Sequence, residues 1–175
     1  MAAPAPSLSM SMRMTVYGIS KKFPTIRNIT CEQLNNWIED ESKKLVCLDT
    51  RPMEEYDVSH ISGAIQVDPE SEQSLEDLGI TGDSTGERYF TDQELVCYCS
   101  VGYRSSNVAK TLFSKHKQST GSSDETLDVY NLEGGLFQWA NERRGIVNNS
   151  GDKVATVHPY SLFWGKLLNY DLRHE

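Results

Sequence analysis

The chain has 175 residues, 38% of them hydrophobic, which suits one domain with a real core and excludes a peptide, a multidomain machine and a disordered chain. Seventeen basic residues against twenty-five acidic ones leave a net charge of −8, so no nucleic acid partner is expected, because neutralising phosphates takes clustered Lys and Arg. No apolar run approaches the ~18 residues that cross a bilayer, and the N-terminal Met1–Met14 stretch lacks the apolar centre of a secretory signal, so no membrane association is expected.

The stretch through about Lys22 is rich in Ala, Pro, Ser and Met without periodicity and reads as a loose tail, set at residues 1–24. Thr30 and Gln33 have the spacing of a capping box, with Leu34 and Trp37 on one face of a helix ending near Glu41. Leu45–Asp49 is an apolar run of strand length ending on a carboxylate, Met53–His60 suits one or two helical turns, and Ile65–Val67 is a second short strand ahead of Pro69. Glu70–Glu94 is acidic and rich in Ser and Gly, a surface excursion with one helical turn at Leu75–Leu78. Leu95–Cys99 is a third strand, and Val108, Ala109, Leu112 and Phe113 form the inner face of a helix running to about Lys115, followed by a polar loop over Gln118–Glu125. Leu127–Leu132 is a fourth strand, Gly134 and Gly135 a tight turn, and a further helix starts at Leu136. This alternation predicts an α/β fold, a central parallel sheet with helices on both faces. Residues 148–175 carry Tyr160, Leu162, Phe163, Trp164, Leu167, Leu168 and Tyr170, read as a final amphipathic helix packed on the domain formed by residues 25–147.

Cysteines 31, 47, 97 and 99 sit singly in apolar or strand-like stretches, and no Cys or His cluster completes a zinc set. Free thiols in a reducing compartment are expected, the cytoplasm first, with a mitochondrial location left open. In parallel α/β folds, sites form where strand ends meet helix N-termini. Cys99-Ser100-Val101-Gly102-Tyr103-Arg104-Ser105 lies at such an end, so Cys99 faces a helix dipole, amide donors and the Arg104 guanidinium, all of which favour thiolate. A buried strand-end cysteine is the plainer reading of a solitary Cys. The adjoining glycine loop and arginine shift the balance to a nucleophile.

The motif C-x-x-G-x-R-S after an apolar strand resembles the active-site loop of the rhodanese (sulfurtransferase) family. Two further stretches resemble that family: Leu48-Asp49-Thr50-Arg51 with Glu54-Glu55-Tyr56 and Ser59-His60-Ile61-Ser62-Gly63-Ala64-Ile65, where Ser59 stands for the usual Gly, and Leu132-Glu133-Gly134-Gly135-Leu136-Phe137-Gln138-Trp139. Together they cover roughly residues 26–147 and imply a single-domain member. Four residues separate Cys99 from Arg104, a loop sized for a persulfide, and one shorter than that of the related phosphatases.

The resemblance implies a sulfurtransferase in which Cys99 takes the outer sulfur of thiosulfate or another persulfide donor and passes it to a thiol acceptor. Arg104 would hold the donor anion, and the loop at Ser100, Val101, Gly102, Tyr103 and Ser105 would bind the transferred sulfur. No metal or organic cofactor is implied, and the natural donor could be a protein persulfide. Asp49 and Arg51 could support the pocket, with a buried structural pair the preferred reading. His60 is read as structural, Trp139 as core, Gly134 and Gly135 as turn residues, and Cys97 as core rather than a resolving thiol. With few basic residues near Cys99, steering of small dianions should be weak and the rate should respond little to salt. The competing reading, from another class, is a docking or sulfur-sensing module with little turnover.

Overall fold

The structure, a computed structural model, describes residues 8–69, 93–120 and 127–175; the expected turn at Leu75–Leu78 lies outside them. Five parallel strands form the central sheet: β1 (Arg27–Ile29), β2 (Leu45–Asp49), β3 (Ile65–Gln66), β4 (Glu94–Tyr98) and β5 (Val129–Leu132), in the order β1-β5-β4-β2-β3. Helices α1 (Met10–Lys22), α2 (Cys31–Glu39), α3 (Met53–Val58), α4 (Tyr103–Thr120) and α5 (Gly135–Asn141) alternate with them. Side chains alternate faces along a strand, so four consecutive buried residues, Leu95 to Tyr98, require cover on both faces of the sheet. This explains why β4 reads as an unbroken apolar run rather than an alternation.

Helix α2 begins as its sequence implies. The Thr30 hydroxyl accepts from the Gln33 N–H at 3.1 Å, and the Gln33 side chain accepts from the Thr30 N–H at 2.9 Å. Helix α4 runs to Thr120, past the expected end near Lys115, since nothing from Ser114 to Thr120 breaks a helix.

Two segments differ more. Residues 10–22, expected as tail, form α1, capped by the Ser9 hydroxyl, which accepts from the Met12 N–H at 3.2 Å. Met12, Val16, Ile19 and Phe23 carry a 4-3-4 apolar spacing that puts one stripe on the core, and exposed Met10, Met14 and Tyr17 on the other side obscure it. The second difference lies in residues 148–175, which form no amphipathic α-helix. An antiparallel hairpin, β6 (Ile146–Val147) with β7 (Lys153–Val154), leads to two 3₁₀ turns, Trp164–Leu167 and Tyr170–Leu172. Pro159 and Gly165 interrupt the helical pattern, and they pack so closely that a Cβ on Gly165 would come within 2.9 Å of the Pro159 Cβ. Leu162 is 95% exposed, whereas Val157, Leu168 and Leu172 join the core.

Successive connections place β3 outside β2 on one side and carry the chain back to β4 on the other. Asp49 pairs in register with Tyr98, and the Thr50 N–H donates to the Tyr98 carbonyl at 2.9 Å, which sets the start of the loop after β2 beside Cys99.

Candidate active site

The loop from Cys99 to Gly102 is built by its neighbours' backbones. Gly102 has φ +109°, a conformation L side chains rarely adopt, and its N–H donates to Cys99 Sγ at 3.2 Å. Its carbonyl accepts from both the N–H and the hydroxyl of Ser106, at 3.1 and 2.7 Å, which ties the loop to the first turn of α4. From the other side, α5 presses its N-terminus onto the loop: the Leu136 N–H donates to the Cys99 carbonyl at 2.8 Å and the Phe137 N–H to that of Ser100 at 3.0 Å. A Cβ on Gly135 would lie 2.3 Å from the Cys99 carbonyl oxygen. The glycine pair read as a turn therefore also permits contact between two backbones.

Cys99 is 1% exposed and lines a cavity of about 230 Å³ together with Ser100, Val101, Tyr103 and Arg104 from the same loop and helix start. Among the described residues, the rest of the wall is Tyr160 and Trp164 of the C-terminal segment. Arg104 stands beside the sulfur, but it is not free. Its Nη1 donates to Glu55 Oε1 at 2.7 Å, and its Nη2 to Glu55 Oε2 at 3.0 Å and to Ser100 Oγ at 2.9 Å. Ser100 in turn donates to Glu55 Oε2 at 2.9 Å. Burial opposes the charge on Arg104, yet the hydrogen bond to Glu55 and the negative potential of Cys99 and Glu55 outweigh it and hold the guanidinium above its ordinary range. The Tyr160 ring covers the same guanidinium, 4.5 Å from its centroid.

Glu55 is the residue that sequence reasoning missed. It stood inside a recognised motif, and α3 turns it inward to 2% exposure while its neighbour Glu54 faces out, but its partner lies 49 residues further along the chain. Tyr160 and Trp164 were grouped with a helix that does not form.

Asp49 and Arg51, considered as pocket support, do not line the cavity. They form a closed pair with 0% side-chain exposure on each, Arg51 Nε donating to Asp49 Oδ1 at 2.8 Å and Nη2 to Asp49 Oδ2 and the Ser59 carbonyl at 2.6 Å each. Ser105, grouped with the binding loop, points away from the cavity: its hydroxyl donates to Asn131 Oδ1 at 2.7 Å, and Asn131 donates to Asn28 Oδ1 at 2.8 Å. His60 stacks on Tyr56 at 3.7 Å and exchanges backbone hydrogen bonds with Val147, and Trp139 donates to the Gly145 carbonyl at 3.0 Å.

All four cysteines are free thiols. Burial pushes Cys47 up to about 12 and Cys31 and Cys97 higher still, so these three stay protonated. Among the described residues no three His, Cys, Asp or Glu side chains gather as a metal set would, and no helix is long and apolar enough to cross a membrane.

The thiol at the end of β4, its glycine loop and the arginine on the following helix all fall inside a longer match to known proteins. Residues 30–142 match the model of the rhodanese-like domain, and the protein belongs to that family. It is 31% identical over 114 residues to the probable adenylyltransferase/sulfurtransferase MoeZ of Mycobacterium tuberculosis; the match takes in 65% of this chain and 24% of the length of that relative. Among solved structures, a rhodanese-related protein of Thermoplasma volcanium is 20% identical with a TM-score of 0.49, over 69% of this chain and 97% of that one. A rhodanese-like domain protein of Staphylococcus aureus is 23% identical with a TM-score of 0.47, over 65% and 91%.

Proposed function

We propose that the protein is a sulfurtransferase that carries sulfane sulfur on Cys99. The observation that supports this best is the Cys99 sulfur itself, set in a small cavity, accepting the Gly102 N–H at 3.2 Å and flanked by Arg104. In the first half-reaction the Cys99 thiolate attacks the outer sulfur of a donor such as thiosulfate. A Cys99–sulfur bond forms, the donor sulfur–sulfur bond breaks, and sulfite leaves with its electron pair. In the second, a thiol acceptor attacks the outer sulfur of the Cys99 persulfide and restores the thiolate. The Gly102 N–H stabilises the persulfide anion as an oxyanion hole would.

Arg104 has a narrower role in this mechanism than holding the donor. With two of its nitrogens on Glu55 and Ser100, it contributes a fixed and partly offset positive potential beside the sulfur. Residues 148–175 belong functionally with the domain, because they supply part of the cavity wall. The free thiols are consistent with the cytoplasm as the working compartment.

The second reading, a docking or sulfur-sensing module with little turnover, draws on the near-complete burial of Cys99 and the occupied Arg104. Intact mass of the reduced protein before and after thiosulfate, with a thiocyanate assay using cyanide, separates the two. One added sulfur that Cys99→Ser abolishes, together with cyanide turnover, is the expected result. A folded protein that gains no sulfur transfers the case to the docking module.

A further inference from the structure

Two features of the cavity do not suit a small dianion. The only cation described in its wall, Arg104, is held by Glu55 and Ser100 through both terminal nitrogens, so little unpaired positive charge faces the space in front of Cys99. Opposite the loop stand two aromatic side chains, Tyr160 and Trp164, which come from beyond the segment that matches the family model. A cavity of about 230 Å³ takes nearly eight water volumes at ~30 Å³ each, more room than the few heavy atoms of thiosulfate fill.

The strap that carries the two rings is a built element. Tyr160 has φ +62°, a left-handed conformation costly for a residue with a Cβ. Several contacts hold it there. The Tyr160 N–H donates to His158 Nδ1 at 3.1 Å, the Trp164 N–H to Ser161 Oγ at 3.2 Å, and the Gly165 N–H to the Ser161 carbonyl at 2.8 Å. Val157 and Leu168, fully buried on either side, anchor the strap to the core. The Tyr160 ring lies against the Arg104 guanidinium at 4.5 Å, which fixes its position beside the sulfur.

Resting on the reading of Cys99 as the sulfur carrier, we infer that Tyr160 and Trp164 determine donor specificity, and that the preferred donor is a sulfane-sulfur compound of low charge bearing an apolar or aromatic group. The group packs between the two rings while its outer sulfur reaches Cys99. For an aromatic thiosulfonate, the Cys99 thiolate bonds to the outer sulfur, the sulfur–sulfur bond breaks, and the sulfinate leaves with the electron pair. The enzyme then holds the same persulfide that thiosulfate would give. Apolar contact and ring stacking supply the selectivity, and neither requires a free cation.

Three donors separate charge from shape: benzenethiosulfonate, methanethiosulfonate and thiosulfate, each with cyanide as acceptor and thiocyanate as readout, in the full chain. Benzenethiosulfonate is expected to exceed methanethiosulfonate, which carries the same charge, by about tenfold in kcat/KM, the size of effect that apolar pocket contacts give. Tyr160→Ala and Trp164→Ala should each bring that ratio toward one. Trp164 is partly buried, and if its variant does not fold, the half-exposed Tyr160 carries the test. Sulfur loading from all three donors with a ratio near one in the parent protein, or a tenfold ratio that survives Tyr160→Ala, overturns the inference and leaves the Cys99 carrier standing. No loading from any donor removes the carrier and the inference together.

Discussion

The end of β2 and the helix that follows it, α3, each supply a carboxylate to an arginine, with opposite consequences. Asp49 and Arg51 lie two residues apart, completely enclosed; beyond their mutual bonds Arg51 Nη2 donates to the Ser59 carbonyl, and Arg51 Nη1 has no hydrogen-bond partner among the described residues. Glu55 and Arg104 come from different crossovers, and Arg104 keeps 21% of its side chain accessible where it borders the cavity. The chemistry of the two pairs is the same, so access decides their roles. An enclosed pair can only hold a loop in shape, whereas a pair with one open side also sets the potential that an incoming donor meets.

Removing one partner of each pair breaks the comparison most directly. Arg51→Ala strands the Asp49 charge in the interior and should cost about 3–5 kcal/mol, while Arg104→Ala, with solvent and Ser100 to relieve Glu55, should cost about 1–2 kcal/mol. Urea midpoints measure the difference, and equal losses would mean that access does not separate the pairs. Gly135→Ala acts on the backbone beneath the site instead. At φ +55°, with a Cβ meeting the Cys99 carbonyl, it should lose about 2–4 kcal/mol and much of its sulfur loading, read by the same titration and by intact mass. A smaller and sharper effect is expected from Glu55→Gln, which keeps a hydrogen-bond partner for Ser100 and removes the charge that offsets Arg104. Thiosulfate KM should fall by about tenfold at low ionic strength and rise again with salt, whereas the parent protein stays nearly flat. A parent KM that climbs steeply with salt would show that Arg104 is not offset.

Local and alternating patterns made much of this legible in sequence. The Thr30 and Gln33 capping box, the apolar runs of β2 and β4, and the strand-end Cys99 all follow from residues within a few positions of one another. What escaped depends on contacts between distant residues. The pairing of Glu55 with Arg104 needs two loops to meet, and the role of Gly135 needs the α5 backbone to reach Cys99. The aromatic strap was misread because its apolar residues have near-helical spacing while Pro159 and Gly165 prevent the helix. In α1 the apolar stripe was present but shared its turns with exposed methionines.

The Ser105, Asn131 and Asn28 hydrogen-bond chain also bears on how the protein comes to be folded. It joins the helix behind the sulfur loop to the edge strand β1, and its second link spans 103 residues of sequence. Parallel strands so far apart close late and slowly, since the loop entropy is lost before the contacts form. The chain should therefore reach a competent sulfur site only at the last stage of folding, and recovery of loading after dilution from urea should follow the slowest refolding phase, with no active fragment preceding it.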